Sequence, residues 1–391
     1  MNEAFIVAGF RSAVTKSKKG GFRFYRPDDL ASNIIKHILK TVPQLDPKRI
    51  DDLIVGNAFP EAEQGLQIGR MIALQCLPIS VAGSTCNRFC GSGVDTIAQA
   101  VARIKSGMAD CIIAGGTESM SLVPMTGWKP APNFNIVKNN PEYYLPMGLT
   151  AEEIASDFKI SRVEQDLYSF NSHMKAINAQ KNNFFKDEIV PVEVEDIFVE
   201  DGKKKSKKFI VDTDEGPRAD TTIEALAKLK PAFRQNGTVT AGNSSQTSDG
   251  AAFVLVMNEA MVKELNLNPI ARMLSYSVAG VDPRIMGIGP VEAIPKSLKQ
   301  ANLKLDDIDL IEVNEAFASQ IIAVKRELKI NEEKLNVNGG AIALGHPLGC
   351  SGAKLTVQIL NELRRRKNKY GIVSACVGGG QGVSAIYELI N

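Results

Sequence analysis

Short apolar runs alternate along the chain with segments whose apolar residues recur every three or four positions. The runs at residues 4–8, 53–55 and Cys111–Ala114 predict buried strands, and Gly115-Gly116 is expected to close the last one. Asp29–Leu39 has one apolar face and predicts a helix between the first two strands. Strands that alternate with helices indicate an α/β fold with a largely parallel sheet.

Three patterns occur twice, in the same order and at similar spacing. Asp52–Asn57 is matched by Asp309–Asn314, and the glycine-rich segment 90–93 is matched by 349–352. The strand at 111–116 is likewise matched by residues 372–376. We therefore predict two similar α/β halves, with a site at their junction that takes residues from both.

The segment between the repeats has a different texture. Residues 124–148 are rich in Pro, Asn and Gly, and helices are predicted near 150–158 and 162–182. The lysine-rich run Lys203–Lys208 predicts a solvated hairpin tip rather than a nucleic-acid site. We expect residues 1–119 plus 241–268 to form the first half, 120–240 a loop domain, and 269–391 the second half.

Composition narrows the class of protein. The 391 residues are 44% hydrophobic and 23% charged with a net charge of +2, as in soluble globular proteins without a nucleic-acid partner. No apolar run is long enough to span a membrane. With neither a secretory start nor a peroxisomal tripeptide, we expect a cytoplasmic protein. The six scattered cysteines fit reduced thiols, and their spacing does not favour zinc or another metal.

Cys90 is the first candidate for chemistry. Apolar residues recur at helical spacing after it, so a helix should begin near Gly91 or Ser92. A thiol at a helix N-terminus has a lowered pKa, which favours the nucleophilic thiolate. An inert buried thiol is the competing interpretation.

The second half adds a base and a second thiol. His346 lies in a glycine-flanked turn ahead of a predicted helix, and Cys376 follows a predicted strand. A nucleophile, a base and a proton donor could be drawn from these three side chains. The glycines at 378–380 could offer N–H groups to an oxyanion, but no lysine follows them as in a phosphate-binding loop.

Five motifs together resemble the thiolase family over almost the whole chain. They are Asn87-Arg88-Phe89-Cys90-Gly91-Ser92-Gly93, Gly115-Gly116-Thr117-Glu118-Ser119-Met120, Asn314-Glu315-Ala316-Phe317-Ala318, Gly345-His346-Pro347 and Cys376-Val377-Gly378-Gly379-Gly380-Gln381-Gly382. The resemblance implies two βαβαβαββ halves in a five-layered α-β-α-β-α core with an inserted loop domain. It also implies a homodimer or homotetramer, and leaves open a partner subunit that carries other β-oxidation steps.

The resemblance assigns roles to individual residues. Cys90 resembles the nucleophile that forms an acyl thioester, and His346 the residue that activates it. Cys376 matches the acid/base cysteine at the α-carbon of the acetyl unit. Asn314 matches the residue that holds a water which, with His346, forms one oxyanion hole. The backbone N–H groups of Cys90 and Gly378 match the other.

Coenzyme A is the implied substrate, with no permanently bound cofactor. Arg218 matches a residue near the nucleotide end of CoA, and Ser245 one near the pantetheine arm. Met147, Phe233 and Phe317 are candidate contacts along this arm, although a core role is open for both phenylalanines.

One position bears on the choice of substrate. Biosynthetic acetoacetyl-CoA thiolases typically have a histidine at this position. This chain instead has Pro146, which resembles many thiolases of fatty-acid breakdown. The resemblance therefore favours a 3-ketoacyl-CoA thiolase that cleaves acyl-CoA thioesters. The alternatives are an acetoacetyl-CoA thiolase working in condensation, a ketoacyl synthase, which the Cys376–Gly382 motif fits poorly, and a non-catalytic homologue that binds CoA or lipid.

Overall fold

The computed structural model describes residues 3–390. The strands are β1 (Ala4–Arg11), β2 (Thr15–Lys16), β3 (Asp52–Gly56), β4 (Ala82–Cys86), β5 (Cys111–Ser119), β6 (Val192–Glu200), β7 (Lys203–Val211), β8 (Ser248–Asn258), β9 (Ala271–Gly280), β10 (Leu310–Val313), β11 (Tyr370–Val377) and β12 (Gln381–Leu389). The helices are α1 (Pro27–Thr41), α2 (Ile68–Cys76), α3 (Ser92–Lys105), α4 (Phe134–Asn139), α5 (Met147–Asp157), α6 (Arg162–Lys181), α7 (Ile223–Ala227), α8 (Glu259–Glu264), α9 (Gly289–Ala301), α10 (Ala318–Glu327), α11 (Ala341–Leu344) and α12 (Leu348–Arg366).

The main sheet consists of two similar groups of strands. In the order β10-β11-β12-β9-β1-β8-β5-β3-β4, the first four come from the second half of the chain and the last five from the first half. The groups meet where Ile6 of β1 pairs with Ala271 of β9. Within each half, β3 and β5, and equally β10 and β11, run parallel. The duplicated α/β arrangement predicted from the sequence repeats is confirmed. The expectation of a largely parallel sheet is wrong, because β1 and β8, β5 and β8, β9 and β12, and β11 and β12 all pair antiparallel.

Three apolar clusters form layers around the strands. The outer face of the first half carries α1 and α2, whereas α9 and α10 cover the second half. Between the halves lie α3 and α12, and their apolar residues share one core. A Cβ added to Gly352 would lie 2.4 Å from the backbone N of Val94, so glycine is required where these two helices meet.

Two local predictions are wrong. Gly115 and Gly116 do not close the strand but continue β5, where a Cβ on Gly116 would approach the carbonyl oxygen of Gly349 to 2.0 Å. The lysine run lies within strand β7 rather than in a hairpin tip. Asp201 and Gly202 make that turn with φ of 52° and 70°, since the left-handed region suits a hairpin connection.

Residues 120–247 leave the sheet after β5 and return to it at β8. They contain α4 to α7 and the separate β6–β7 hairpin. The buried Arg11 guanidinium ties β1 to this segment through carboxylate oxygens of Glu188 and Asp214, each at 2.7 Å. Burial of a charged group requires such partners, so this contact fixes the segment against the sheet. Among residues 3–390, no helix is long and apolar enough to cross a membrane.

Candidate active site

Cys90 lies in a tight turn between β4 and α3. A 3₁₀ turn spans Phe89–Gly91, and α3 begins at Ser92, as the helical spacing predicted. Phe89 has a φ of 40°, which is unusual for a bulky residue and indicates a strained backbone. The Ser92 hydroxyl stabilises this turn because it accepts from Arg88 N at 2.8 Å and donates to Phe89 O at 2.7 Å.

The Cys90 thiol is buried at the junction of the two halves. Its side chain packs with Ala58, Met120 and Leu348, while the backbone N–H groups of Cys90 and Gly378 lie near the sulfur. Burial raises the pKa of Cys90 to about 12, although both N–H groups act in the opposite direction. The expected lowering of this pKa by the helix N-terminus is therefore wrong, since loss of hydration outweighs it. Deprotonation of Cys90 requires a base.

His346 lies in the turn between α11 and α12 and is buried. Its backbone N–H donates to Gln246 O at 3.0 Å, which joins the turn to the segment that precedes β8. The ring nitrogens face Asn314 Nδ2 at 3.2 Å and Ser351 Oγ at 2.6 Å. Burial, and then the positive charge of Lys354, lowers the pKa of His346 to about 3. The imidazole is thus neutral at physiological pH, with one ring nitrogen unprotonated.

Asn314 follows directly after β10 and is positioned by its main chain. Its backbone N–H donates to Ser374 O at 2.9 Å, across the parallel pair formed by β10 and β11. The segment before β8 covers the next residues, because Ser245 N donates to Ala316 O at 2.9 Å. One short segment, residues 243–248, therefore contacts both the Asn314 loop and the His346 turn.

Cys376 lies near the end of β11 and is fully buried. Burial, and then the proximity of the Cys90 sulfur, raises the pKa of Cys376. The glycines that follow allow the chain to turn sharply into β12, with φ of 82° at Gly379 and 83° at Gly380. Gly378 itself packs against the ring of Phe89, so the turn before α3 and the glycine turn are in contact.

Three of the residues assigned to CoA binding form one apolar group. Phe233 and Phe317 meet edge to face with ring centroids 6.0 Å apart. Phe317 and Met147 belong to the same cluster as Cys376. This group leads from the second cysteine to the surface, where the side chain of Phe233 is 42% exposed.

The other two CoA candidates lie in the segments around this group. Arg218 is exposed, and its backbone N–H donates to Nδ1 of the buried His173 at 3.2 Å. Ser245 is half-buried in the segment that contacts Ala316. Gln246 links the Arg218 segment to the His346 turn, because its side-chain amide is within 3.2 Å of the carbonyl oxygens of Gly216 and Ala343.

Sequence reasoning missed several residues that organise this site. Glu118 accepts hydrogen bonds from the backbone N–H groups of Ala58 and Gly349, both at 2.8 Å, and so joins the two halves beside Cys90. Ser351 contacts the His346 ring, and His173 supports the Arg218 segment. The glutamate stands inside a recognised motif and the serine five residues after the histidine, but only the folded chain shows these long-range partners.

Comparison with known proteins identifies the family. The model for the N-terminal domain of thiolase matches residues 4–260, and the model for the C-terminal domain matches residues 267–389. The chain belongs to the thiolase family. The fold predicted from the resemblance is confirmed.

Individual thiolases are similar over their whole length. A 3-ketoacyl-CoA thiolase of Bacillus subtilis is 52% identical over 391 residues, which is 100% of both chains. A human peroxisomal 3-ketoacyl-CoA thiolase is 42% identical and covers 99% of this chain and 91% of its own.

Two solved structures extend the comparison. An acetyl-CoA acetyltransferase of Bacillus anthracis superposes with a TM-score of 0.89, and human mitochondrial 3-ketoacyl-CoA thiolase with 0.88. Each is 39% identical to this chain and covers 100% of it and 99% of its own chain.

Proposed function

We propose that this thiolase cleaves 3-ketoacyl-CoA with free CoA, giving acetyl-CoA and a shortened acyl-CoA. The observation that carries the proposal is the junction itself. Two backbone N–H groups lie near the Cys90 sulfur, and Cys376 is a close neighbour. The 52% identity to a 3-ketoacyl-CoA thiolase over the full chain supports the same substrate class.

In the first half-reaction, His346 Nε2 takes the proton of the Cys90 thiol and the thiolate attacks the 3-keto carbon. The N–H groups of Cys90 and Gly378 stabilise the negative charge that develops on the former keto oxygen. The bond between C2 and C3 then breaks, which leaves the acyl group on Cys90 as a thioester. Cys376 protonates the enolate of acetyl-CoA, and Asn314 with His346 stabilises the enolate oxygen through a water held by Asn314.

In the second half-reaction, the thiol of free CoA attacks the acyl thioester and the Cys376 thiolate takes its proton. The Cys90 sulfur leaves and recovers its proton from His346, so every group returns to its starting state. A thioester exchanges readily with another thiol, whereas an ester on serine would be a deeper trap. This is why sulfur suits both the nucleophile and the leaving group.

CoA itself would lie along the segment that returns from the loop domain. We assign the pantetheine arm to Ser245 and to the apolar group of Met147, Phe233 and Phe317. We assign the exposed Arg218 to the nucleotide end. We keep 120–240 as the loop domain, between the halves formed by 1–119 plus 241–268 and by 269–391. CoA is a substrate in this scheme, and no permanently bound cofactor is invoked.

Condensation of two acetyl-CoA molecules is the second candidate function. The similarity to an acetyl-CoA acetyltransferase structure, with a TM-score of 0.89, favours it. Pro146 at the start of α5 favours the degradative reaction instead. Thiolysis of acetoacetyl-CoA, measured beside that of a medium-chain 3-ketoacyl-CoA, separates the two. We expect faster turnover of the longer substrate, and activity confined to acetoacetyl-CoA would overturn the degradative assignment.

The exposed surface around strand β4 supports a second copy of the chain as the partner. Strand β4 lies at the edge of the sheet with unpaired backbone groups. Beside it, large apolar side chains are exposed, namely Leu66, Met71, Leu74 and Ile79. We propose that these surfaces pair in a homodimer, which could assemble further into a tetramer or with a β-oxidation partner subunit. We also propose a cytoplasmic location.

A further inference from the structure

Ser351 is a buried residue in the first turn of α12 and makes a short contact with His346. Its Oγ lies 2.6 Å from Nδ1 of the imidazole and 2.9 Å from the carbonyl oxygen of Pro347. The Ser351 side chain is 2% exposed, so water has little access to this contact. The hydroxyl is thus held between the ring and the start of the helix.

A neutral imidazole donates from one nitrogen and accepts at the other. The serine hydroxyl has a single proton, and donation of that proton to Pro347 O leaves Oγ as the acceptor of an Nδ1–H group. On the other side of the ring, Asn314 Nδ2 lies 3.2 Å from Nε2. An amide N–H group at this place needs a lone pair on Nε2. The serine contact therefore favours the tautomer with its proton on Nδ1, and the Asn314 amide is compatible with it.

We propose that Ser351 is a positioning residue that keeps the proton of His346 on Nδ1 and leaves Nε2, on the Asn314 side of the ring, unprotonated. In this tautomer Nε2 is the atom that accepts the proton of the Cys90 thiol. The hydrogen bond from Nδ1 to Ser351 Oγ is then the same before and after proton transfer, so the buried ring does not have to reorient.

Loss of the hydroxyl changes the balance between the tautomers. In Ser351→Ala, a proton on Nδ1 would be buried without an acceptor, which is costly. On Nε2 the proton can be accepted by Asn314, once its side-chain amide rotates. The variant therefore favours the tautomer that cannot act as a base at Nε2.

The direct test is solid-state ¹⁵N NMR of protein labelled only at histidine, because the chain contains three histidines. We expect a protonated Nδ1 and an unprotonated Nε2 for His346 in the wild type, and the reverse in Ser351→Ala. Ser351→Thr keeps the hydroxyl and should keep the wild-type pattern. A proton on Nε2 in the wild type would overturn the proposal, even if Ser351→Ala fails to fold.

A reactivity measurement tests the consequence. We expect the rate at which iodoacetamide alkylates Cys90 to fall at least about 10-fold in Ser351→Ala, and kcat for thiolysis about 100-fold, with KM changed less than about threefold. Thr356→Val is the matched control, because Thr356 Oγ1 makes the same type of bond to Gly352 O on α12 at 2.9 Å, away from the imidazole. Equal alkylation and kcat in Ser351→Ala and Thr356→Val would contradict the proposal.

The kcat expectation depends on the proposed thiolysis, but the spectra and the alkylation rates do not. Wild-type protein without thiolysis would refute the function, and Ser351 would still be judged by the other two measurements.

Discussion

Asn57 and Asn314 stand at equivalent positions in the two halves, directly after β3 and β10, yet their side-chain amides have different partners. Asn57 donates to Thr117 O at 2.9 Å and faces Glu118 at 3.3 Å. Asn314 instead faces the ring of His346. The two asparagines follow equivalent strands, so the backbone of the repeat is preserved. The side chain of Asn57 bonds to structural groups, whereas that of Asn314 contacts the candidate base His346.

The next strand shows the same divergence. Gly56 pairs with Gly116, and Val313 pairs with Ser374, so the register places Glu118 and Cys376 at equivalent positions two residues further on. Glu118 is a carboxylate whose hydrogen bonds join the halves. Cys376 lies beside Cys90 and has no such network. The duplicated fold thus provides two similar places, and the chain uses one for architecture and the other for chemistry.

The largest effect on thiolysis is expected for Cys90, in contrast to Cys350, which stands at the start of the corresponding helix of the second half. Cys90 lies in the strained turn before α3, whereas Cys350 lies inside the first turn of α12 in the central core. Both thiols are buried, and both pKa values are raised to about 12. Backbone N–H groups from both halves lie near the sulfur of Cys90, so we expect Cys90→Ala to lower thiolysis at least about 10⁴-fold.

Cys350→Ala is the matched control for this experiment. It should keep kcat within about threefold and lower the free energy of unfolding by about 1–2 kcal/mol, since a buried side chain is shortened. Steady-state thiolysis and urea unfolding measure the two effects. A comparable loss of activity in Cys90→Ala and Cys350→Ala would contradict the assignment of Cys90, and not Cys350, as the nucleophile.

A smaller effect is expected for Cys376→Ala. The variant retains Cys90 and His346, so it should still form an acyl-enzyme from an acyl-CoA, although slowly. Cleavage of the carbon–carbon bond should fall about 10²- to 10⁴-fold because the enolate has no proton donor. Mass spectrometry of the intact protein follows acylation, and a thiolysis assay follows cleavage. Full turnover in this variant would refute the assigned role.

The smallest expected effects are changes in stability with pH, and these changes have opposite signs for His346 and Glu118. Burial lowers the pKa of His346 to about 3 from 6.5, so its contribution to stability is lost as pH falls below 6.5. Burial raises the pKa of Glu118 to about 6 from 4.5. The stability that its bound proton gives the folded state is therefore fully present below pH 4.5 and is lost as pH rises through 6.

Urea unfolding at pH 7 and pH 5 measures both contributions by difference. The stability advantage of the wild type over His346→Asn should shrink by about 2 kcal/mol at pH 5. The advantage over Glu118→Gln should instead grow by about 1 kcal/mol. Changes of the same sign in the two comparisons would contradict the opposite protonation behaviour.

The hydrophobic pattern was sufficient to predict what is local. It indicated the start of α3, the helix that the structure gives as Pro27–Thr41, and the duplication of the halves. The motifs singled out Cys90, His346, Cys376 and Asn314, which the structure brings to one junction. The pKa of Cys90 was mispredicted because burial depends on Leu348 and Met120, which are distant in sequence.

Long-range contacts also explain the other misses. Gly115-Gly116 locally resembles the end of a strand, but the approach of Gly349 requires those glycines inside a strand. Glu118 has partners at Ala58 and Gly349, on opposite sides of the junction. No periodicity in the chain marks such contacts.

The most direct test of the account is the intact mass of the protein after incubation with a medium-chain 3-ketoacyl-CoA and no free CoA. We predict one acyl group per chain, attached at Cys90, and the release of one equivalent of acetyl-CoA. Cys90→Ala should show neither. An unmodified wild-type protein, or an acyl group that persists in Cys90→Ala, would contradict the central claim that Cys90 carries the acyl group.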